Sequence, residues 1–389
     1  MEQIESGTGR LVPTASAIER GTEVLTAEGD SFSNTFEPGD VLFCKLRPYL
    51  AKAWIADFSG RCTNELLVMR PKGPQPRFLR YVCLSKDFID AVDASTFGSK
   101  MPRADWDFIG SMLVPVPSDT TQESIVDYLD RETGRLDALV AAKERFVGLL
   151  AEKRRALITR AVTRGLDGCA RMMSTGVEWF SEVPIRWRPT KTGRLFRQTK
   201  RLGFPDLTVL SVYRDYGVIE RASRDDNANR IPDDLEKYQL VEKGDLVINK
   251  MKAWQGSLGI AELRGITSPD YVVFNPTHRE HPQFLHFLLR NPLLTTVYLS
   301  MSNGIRTNQW RLEPDRFANL PLFLPPIKEQ EAIVAHIAAE TAKLDALRAA
   351  TERTIALLKE RRAVLIAAAV TGRMQIGALV APEAPTGVY

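Results

Sequence analysis

The sequence predicts an α+β fold in which two α/β globules alternate with two long helices that pair with each other. Three observations carry that expectation. A helical stretch, ETGRLDALVAAKERFVGLLAEKRRALITRAV, begins at Glu132 and returns as ETAKLDALRAATERTIALLKERRAVLIAAAV from Glu340. A fainter repeat precedes each copy: GDVLFCKLRPYLAKAWIADFSGRCTNELLVMRP from Gly39 has the skeleton of GDLVINKMKAWQGSLGIAELRGITSPDYVVFNP from Gly244. Finally, 389 residues that are 44% hydrophobic and 26% charged exceed one ordinary domain and suffice for two cores.

Taken in order, the first globule occupies residues 1–118. Its Gly-Asp turn leads into an apolar strand, Lys45, a second strand, Gly60, and a third strand closed by Pro71. The second globule, 168–326, repeats these features with Lys250, Gly265 and Pro276. Each globule ends on a proline-punctuated apolar strand, MLVPVP or LPLFLPP, and enters its helix through Gln122-Glu123 or Gln330-Glu331. Thr120 and Glu123 have the spacing of a capping box. The helices are assigned to 119–167 and 327–375, with a tail over 376–389, and each closes near a glycine (AVTRG, AVTGR) able to take the left-handed cap.

Along the first helix Leu136, Leu139, Lys143, Phe146, Leu150, Lys153 and Leu157 step by three and four; Leu344, Leu347, Thr351, Thr354, Leu358, Arg361 and Leu365 do the same in the second. About 44 residues make a rod of roughly 65 Å. One apolar stripe on such a rod needs a partner, either the other copy or a second chain, and the likeness of the copies favours the intramolecular pair. Polar seam positions (Lys143, Lys153, Thr351, Arg361) are read as fixing register.

The order globule, rod, globule, rod, with the strings PPIKEQEAIVAHI, LDAL, LLKERRAVLI, AVTRGL and GVEWFSEVPIRW, resembles the specificity subunits of type I restriction-modification systems over nearly the whole chain. The resemblance implies that the globules are target-recognition domains, each reading half of a bipartite, asymmetric double-stranded DNA site. It also implies that the helices pair as an antiparallel coiled coil and dock methyltransferase (M) subunits and, in the full assembly, a restriction/translocase (R) subunit. The sequence departs from an even duplication at one place. Within the second globule about thirty residues, from Gly176 to Pro205, precede the segment that matches the first globule's start at Ile4 and have no counterpart there, so the first recognition domain is expected to be N-terminally short and to lack a strand or helix.

Chemistry is expected to reside in the partners. An amino-methyltransferase would need an Asn-Pro-Pro-aromatic tetrad, and the nearest strings are Asn275-Pro276-Thr277-His278 and Phe58-Ser59-Gly60; GxxxxGK[ST] does not occur. Glu152-Lys153 and Glu360-Arg361 fall on helices, and Asp270 is followed by no lysine of a nuclease motif. His278, His281 and His286 suit no compact metal site, and Cys44, Cys62, Cys83 and Cys169 have neither zinc nor disulfide spacing. No cofactor is expected. The first ten residues carry no apolar signal core and no stretch approaches a membrane span, so a cytoplasmic location is expected.

DNA contact needs cations against phosphates and Arg, Lys, Asn or Gln against base edges. The candidates are Lys45, Arg47, Lys52, Lys100 and Arg103 in the first globule, and Lys250, Lys252, Gln255, Arg306, Asn308 and Gln309 in the second. The equivalent loops TFGSKMPRADW (96–106) and SNGIRTNQW (302–310) carry most of them, whereas Trp54, Trp106, Trp254 and Trp310 are read as core or loop anchors. The net charge of +4 is compatible with a polyanion without requiring one. Two other readings remain: a scaffold binding protein or RNA, and an inactive, truncated specificity allele.

Overall fold

The computed structural model describes residues 18–20, 32–224, 231–232, 234–304 and 310–374. The two long helices run Asp119–Arg164 and Ile327–Val370, and each ends beside a glycine of positive φ, Gly165 (73°) and Gly372 (74°). Thr120 lies inside the first helix rather than at its cap, because the helix already begins at Asp119. The chain divides into two compact units, Met1–Gly148 with Arg348–Tyr389 and Leu149–Leu347. Each unit thus takes part of both helices, a division that order along the sequence does not suggest.

In the first unit Asp137 pairs with Arg362 at 2.9 Å and Glu144 with Lys359 at 3.0 Å. One residue number rises as the other falls, so the helices are antiparallel. In the second unit Arg154 meets Asp345 in the same sense. The helices therefore pair within the chain.

The buried stripe differs from the predicted one at every second position. Leu136, Val140 and Leu150 are buried, while Leu139 and Phe146 are 50% and 38% exposed. On the second helix Leu344 and Thr351 are buried and Leu347 is 45% exposed. Lys153 and Arg361 likewise lie on the exposed surface, not in the seam. Steps of four then three satisfy a heptad as well as steps of three then four; the larger Leu139 and Phe146 pointed to the wrong alternative, and packing selected the row through Val140 and Val147.

The first unit is built on a three-stranded antiparallel sheet in the order Ala53–Ile55, Val41–Cys44, Leu66–Met69. Helices Pro76–Leu84, Lys86–Ala94 and Trp106–Ser111 follow. Phe43, Phe78, Tyr81 and Val92 form a core with Val126 and Leu129 of the first long helix and Ile366 of the second. The second unit repeats the pattern: Leu258–Ile260, Leu246–Asn249 and Tyr271–Pro276 form three adjacent strands, and helices Pro282–Leu289, Leu293–Ser300 and Pro314–Ala318 follow.

The Gly-Asp repeat has one geometry in both units. Gly39 and Gly244 take φ of 92° and 91°, where a side chain would be strained. The next residue turns its carboxylate back on the backbone, Asp40 accepting Glu37 N–H at 2.8 Å and Asp245 accepting Glu242 N–H at 2.8 Å. Both aspartates are buried and are held by an arginine, Arg70 on Asp40 and Arg201 on Asp245.

The two units differ where the unmatched thirty residues enter. In the second unit Phe196–Thr199 adds a fourth strand beside Tyr271–Pro276, and Arg188–Lys191 pairs with Pro321–Leu324. In the first, Met112–Pro117 forms no strand, contrary to the expectation for MLVPVP.

Candidate nucleic-acid interface

The turn joining Leu246–Asn249 to Leu258–Ile260 carries Lys250, Lys252 and Gln255. Gly256 closes it at φ 86°. The Oδ1 of Asn249 accepts Met251 N–H at 3.1 Å, Trp254 donates its indole N–H to the Met251 carbonyl at 3.1 Å, and Leu312 N–H reaches the Lys250 carbonyl at 3.1 Å. Trp254 also meets Trp310 edge to face at 5.4 Å. These two tryptophans are loop anchors, as expected.

Lys252 and Gln255 line one side of an open groove of about 1180 Å³ in the second unit. Lys250 is not part of that lining. The far side comes from the hairpin Leu210–Tyr213 and Gly217–Glu220, with Tyr213, Arg214 and Tyr216 at its tip. Arg221, Arg224, Lys237, Tyr238 and Tyr271 complete the polar lining. Five cations against Asp215, Asp234 and Asp270 leave the described lining net positive. The Arg224 guanidinium lies 4.7 Å from the Tyr216 ring centre and 5.6 Å from that of Tyr213, so cation and aromatic faces are presented together. Burial pushes the phenols of Tyr271 and Tyr238 up, keeping both as neutral donors at neutral pH.

The hairpin is braced from behind. Arg290 donates to the Arg214 carbonyl and, at 2.8 Å, meets His286 Nε2. A Cβ on Gly217 would stand 2.8 Å from the His286 ring, so only glycine lets the hairpin settle there. Burial and the adjacent Arg290 hold His286 down to about 4, so the ring is neutral and accepts from that guanidinium. This is a packing role; among the described residues no cluster of three or more His, Cys, Asp or Glu could hold a metal.

In the first unit the predicted loop and the Lys45–Lys52 turn are stitched into one surface. Arg47, at φ 51°, donates its N–H to the Pro102 carbonyl at 2.8 Å, and Ala104 N–H reaches the Lys45 carbonyl at 3.0 Å. Phe97 and Arg103 exchange two backbone hydrogen bonds of 3.1 Å and close a loop that exposes Lys100. Arg103 itself forks onto Glu65, with Nη2 at 2.7 Å and Nε at 3.0 Å from Oε1. It fixes the loop, and its guanidinium is already engaged. Trp54 lies in a core cluster with Phe36 and Phe58, but Trp106 is 49% exposed on the loop flank rather than anchored.

Arg306, Asn308 and Gln309 lie outside the described residues. The residues that sequence reading missed are those of the hairpin. Their signal was the alternation of aromatic and basic side chains in SVYRDYGVIERASR, 211–224, which has no close match in the first repeat to draw attention to it.

No protein-family model matches the chain. The type I restriction enzyme EcoDI specificity subunit of Escherichia coli is 27% identical over 123 residues, 32% of this chain, and the matched stretch spans only 26% of that protein's length. A chain in a structure describing complex assembly and conformational transition of the type I R-M system superposes with a TM-score of 0.67 at 18% identity, covering 89% of this chain and 85% of the other. The HsdS subunit from Thermoanaerobacter tengcongensis gives 0.48 at 19% identity over 87% and 82%. The fold, two mixed α/β units joined through two long helices, is thus one found in type I restriction-modification systems. Within those systems the chain is similar to the specificity subunits. Among the described residues no helix is long and apolar enough to cross a membrane.

Proposed function

We propose that this chain is a non-catalytic recognition subunit of a type I restriction-modification complex, reading a bipartite, asymmetric double-stranded DNA site and scaffolding methyltransferase and restriction subunits. The observation that carries the reading is the groove of the second unit. Net-positive and lined by Lys252, Gln255, Arg224 and four tyrosines, it offers phosphate-seeking cations and base-edge donors on one surface. The stitched surface of Lys45, Arg47 and Lys100 is the counterpart we assign to the first half-site. We treat 1–118 and 168–326 as the exchangeable recognition segments and 119–167 and 327–375 as the spacer helices.

The helix pair offers the docking surface. In the first unit Leu139, Phe146, Leu357 and Val364 are 50%, 38%, 64% and 58% exposed. Counting round each helix from its seam puts all four on one flank, with the Glu144–Lys359 ion pair on the other. An apolar flank of that kind suits a helical partner, which we assign to the methyltransferase.

The test is co-expression with a methyltransferase, followed by titration of the purified complex against single-base variants of its methylated site. A stable complex whose affinity depends on bases in two separated blocks supports the reading. A chain that stays monomeric and binds RNA or protein with no duplex preference points to the scaffold alternative.

A further inference from the structure

The turn that carries Lys252 and Gln255 in the second unit has a copy in the first that keeps its backbone and its cations but changes the group held out to a base. Counted from Gly39 and Gly244, Lys45 matches Lys250, Arg47 matches Lys252, Leu50 matches Gln255 and Ala51 matches Gly256. Each copy contains one 3-10 turn, Pro48–Leu50 or Ala253–Gln255, whose first residue is buried. Leu50 donates its N–H to the Arg47 carbonyl and Gln255 to the Lys252 carbonyl, both at 3.0 Å. Ala51 N–H reaches the Pro48 carbonyl and Gly256 N–H that of Ala253, both at 2.8 Å. Each turn is also tied to its unit's later loop by one equivalent bond, Ala104 N–H to the Lys45 carbonyl at 3.0 Å and Leu312 N–H to the Lys250 carbonyl at 3.1 Å. Leu50 therefore leaves the backbone where Gln255 does.

The chemistry at that position has changed. Gln255 offers an amide, which can donate to and accept from an adenine edge. Leu50 offers only methyl groups and is 44% exposed, beside Tyr49 at 52%. In the second unit the residue matching Tyr49 is Trp254, which is turned onto Trp310. Because Ala104 matches Leu312, the place of Trp310 is taken by Pro102 in the first unit. The cations persist around this apolar tip: Lys45 and Arg47 match Lys250 and Lys252, and Lys52 and Lys100 belong to the same stitched surface.

The turn is also held rigidly. Ala51 takes φ 49° where the second unit uses glycine, and Arg47 takes φ 51°. Side chains seldom occupy that region, and such strain persists only where the surroundings fix it. Here the Pro102 carbonyl holds Arg47 N–H at 2.8 Å and the Pro48 carbonyl holds Ala51 N–H. The two strained residues bracket Pro48–Leu50, so the direction of Leu50 is set before a ligand arrives and little ordering is left for binding to offset. Cations around the tip draw a polyanion, and the one apolar group that a base pair shows in the major groove is the C5 methyl of thymine.

We propose that Leu50 is a specificity-determining residue of the first unit and reads thymine through its C5 methyl in the major groove, with Lys45 and Arg47 on the flanking phosphates. The proposal rests on the DNA-recognition reading and adds the chemistry of one half-site to it. The two units then use one turn in two ways, the second reading a base by hydrogen bonds from Gln255 and the first by apolar contact from Leu50.

The experiment uses the purified complex of the full chain with its co-expressed methyltransferase, and duplexes of its methylated site in which each thymine is replaced in turn by deoxyuridine. Deoxyuridine pairs as thymine does but lacks the methyl. At one thymine, or two adjacent ones, affinity should fall by about threefold to fivefold, the loss of one buried methyl. Leu50→Ala should bind the thymine and deoxyuridine duplexes alike at that position, with base preferences in the other block and the salt slope unchanged. Thermal unfolding of the variant should match the parent, because the side chain is half-exposed. The proposal is overturned if no deoxyuridine replacement weakens the parent, if Leu50→Ala keeps the full sensitivity, or if Leu50→Ala instead releases the methyltransferase, which would make the tip a protein contact. The DNA-recognition reading survives each of these, since it is measured by the parent's dependence on bases in two blocks; a parent with no such dependence overturns both.

Discussion

The side-chain carbonyl of Gln122 accepts the backbone N–H of Gln75 at 2.8 Å, tying the start of the first long helix to the start of the globule's Pro76–Leu84 helix. The second unit repeats this contact between Gln330 and His281 at 2.9 Å. In each, the amide nitrogen donates to a proline carbonyl, Pro117 at 2.8 Å and Pro325 at 2.9 Å. Both glutamines are buried, so every one of these groups depends on its partner. Gln122→Ala or Gln330→Ala should cost about 1–3 kcal/mol by leaving a backbone donor unsatisfied. Chemical denaturation of each variant checks the loss, and values near zero would mean that water replaces the amide.

The seam makes a paired prediction. Leu150 is buried and Leu139 half-exposed, though both were drawn on one stripe. Leu150→Ala should destabilise by about 2–5 kcal/mol. Leu139→Ala should change stability by less than about 0.5 kcal/mol and instead weaken capture of the methyltransferase, if the apolar flank is its seat. Equal losses of stability at the two sites would restore the other heptad register.

His286 sets a pH window. In the folded chain it stays neutral down to about pH 4, whereas an unfolded histidine takes its proton near 6.5. Between these values the unfolded state binds more protons, so stability falls as the pH drops from about 6.5 to 4 and does not fall further from this group below that. The loss is as much as about 3 kcal/mol. Urea unfolding at pH 7 and pH 4.5 should show it in the parent chain and much less in His286→Gln. An identical pH dependence in the variant would assign the effect elsewhere.

Lys252 and Gln255 should separate phosphate contact from base reading. Lys252→Ala is expected to weaken binding to all sequences alike and lower the salt slope by roughly one. Gln255→Ala should relax the choice of base at one position by about 1–3 kcal/mol with the salt slope unchanged. Titration of the assembled complex against base variants at two salt concentrations distinguishes them, and a uniform loss from Gln255→Ala would make it a backbone contact.

Much of the architecture was legible because duplication leaves a local record. The Gly-Asp turns, the paired strands, the glutamine entries and the two rods each depend on residues near one another in sequence, and a second copy of each removes most ambiguity. The site was legible only in part. Lys252 and Gln255 sit on a turn that the repeat singles out, but the Tyr213–Tyr216 tip reaches the same groove from a hairpin whose sequence the repeat does not single out. Arg103 had the right chemistry and the right loop; Glu65, distant in sequence, claims it.

What the sequence determined by itself was therefore periodic and local: helix lengths, the succession of strands within each repeat, turn glycines, and the pairing of the two rods with each other, read from the likeness of the copies. The tertiary structure decided which of two equivalent heptad rows is buried, since that choice rests on how Val140 and Leu150 pack rather than on their spacing. It also decided that each compact unit draws on both helices, and which cations are engaged by carboxylates. Those outcomes come from contacts between residues far apart in the chain, whose energies no local window contains.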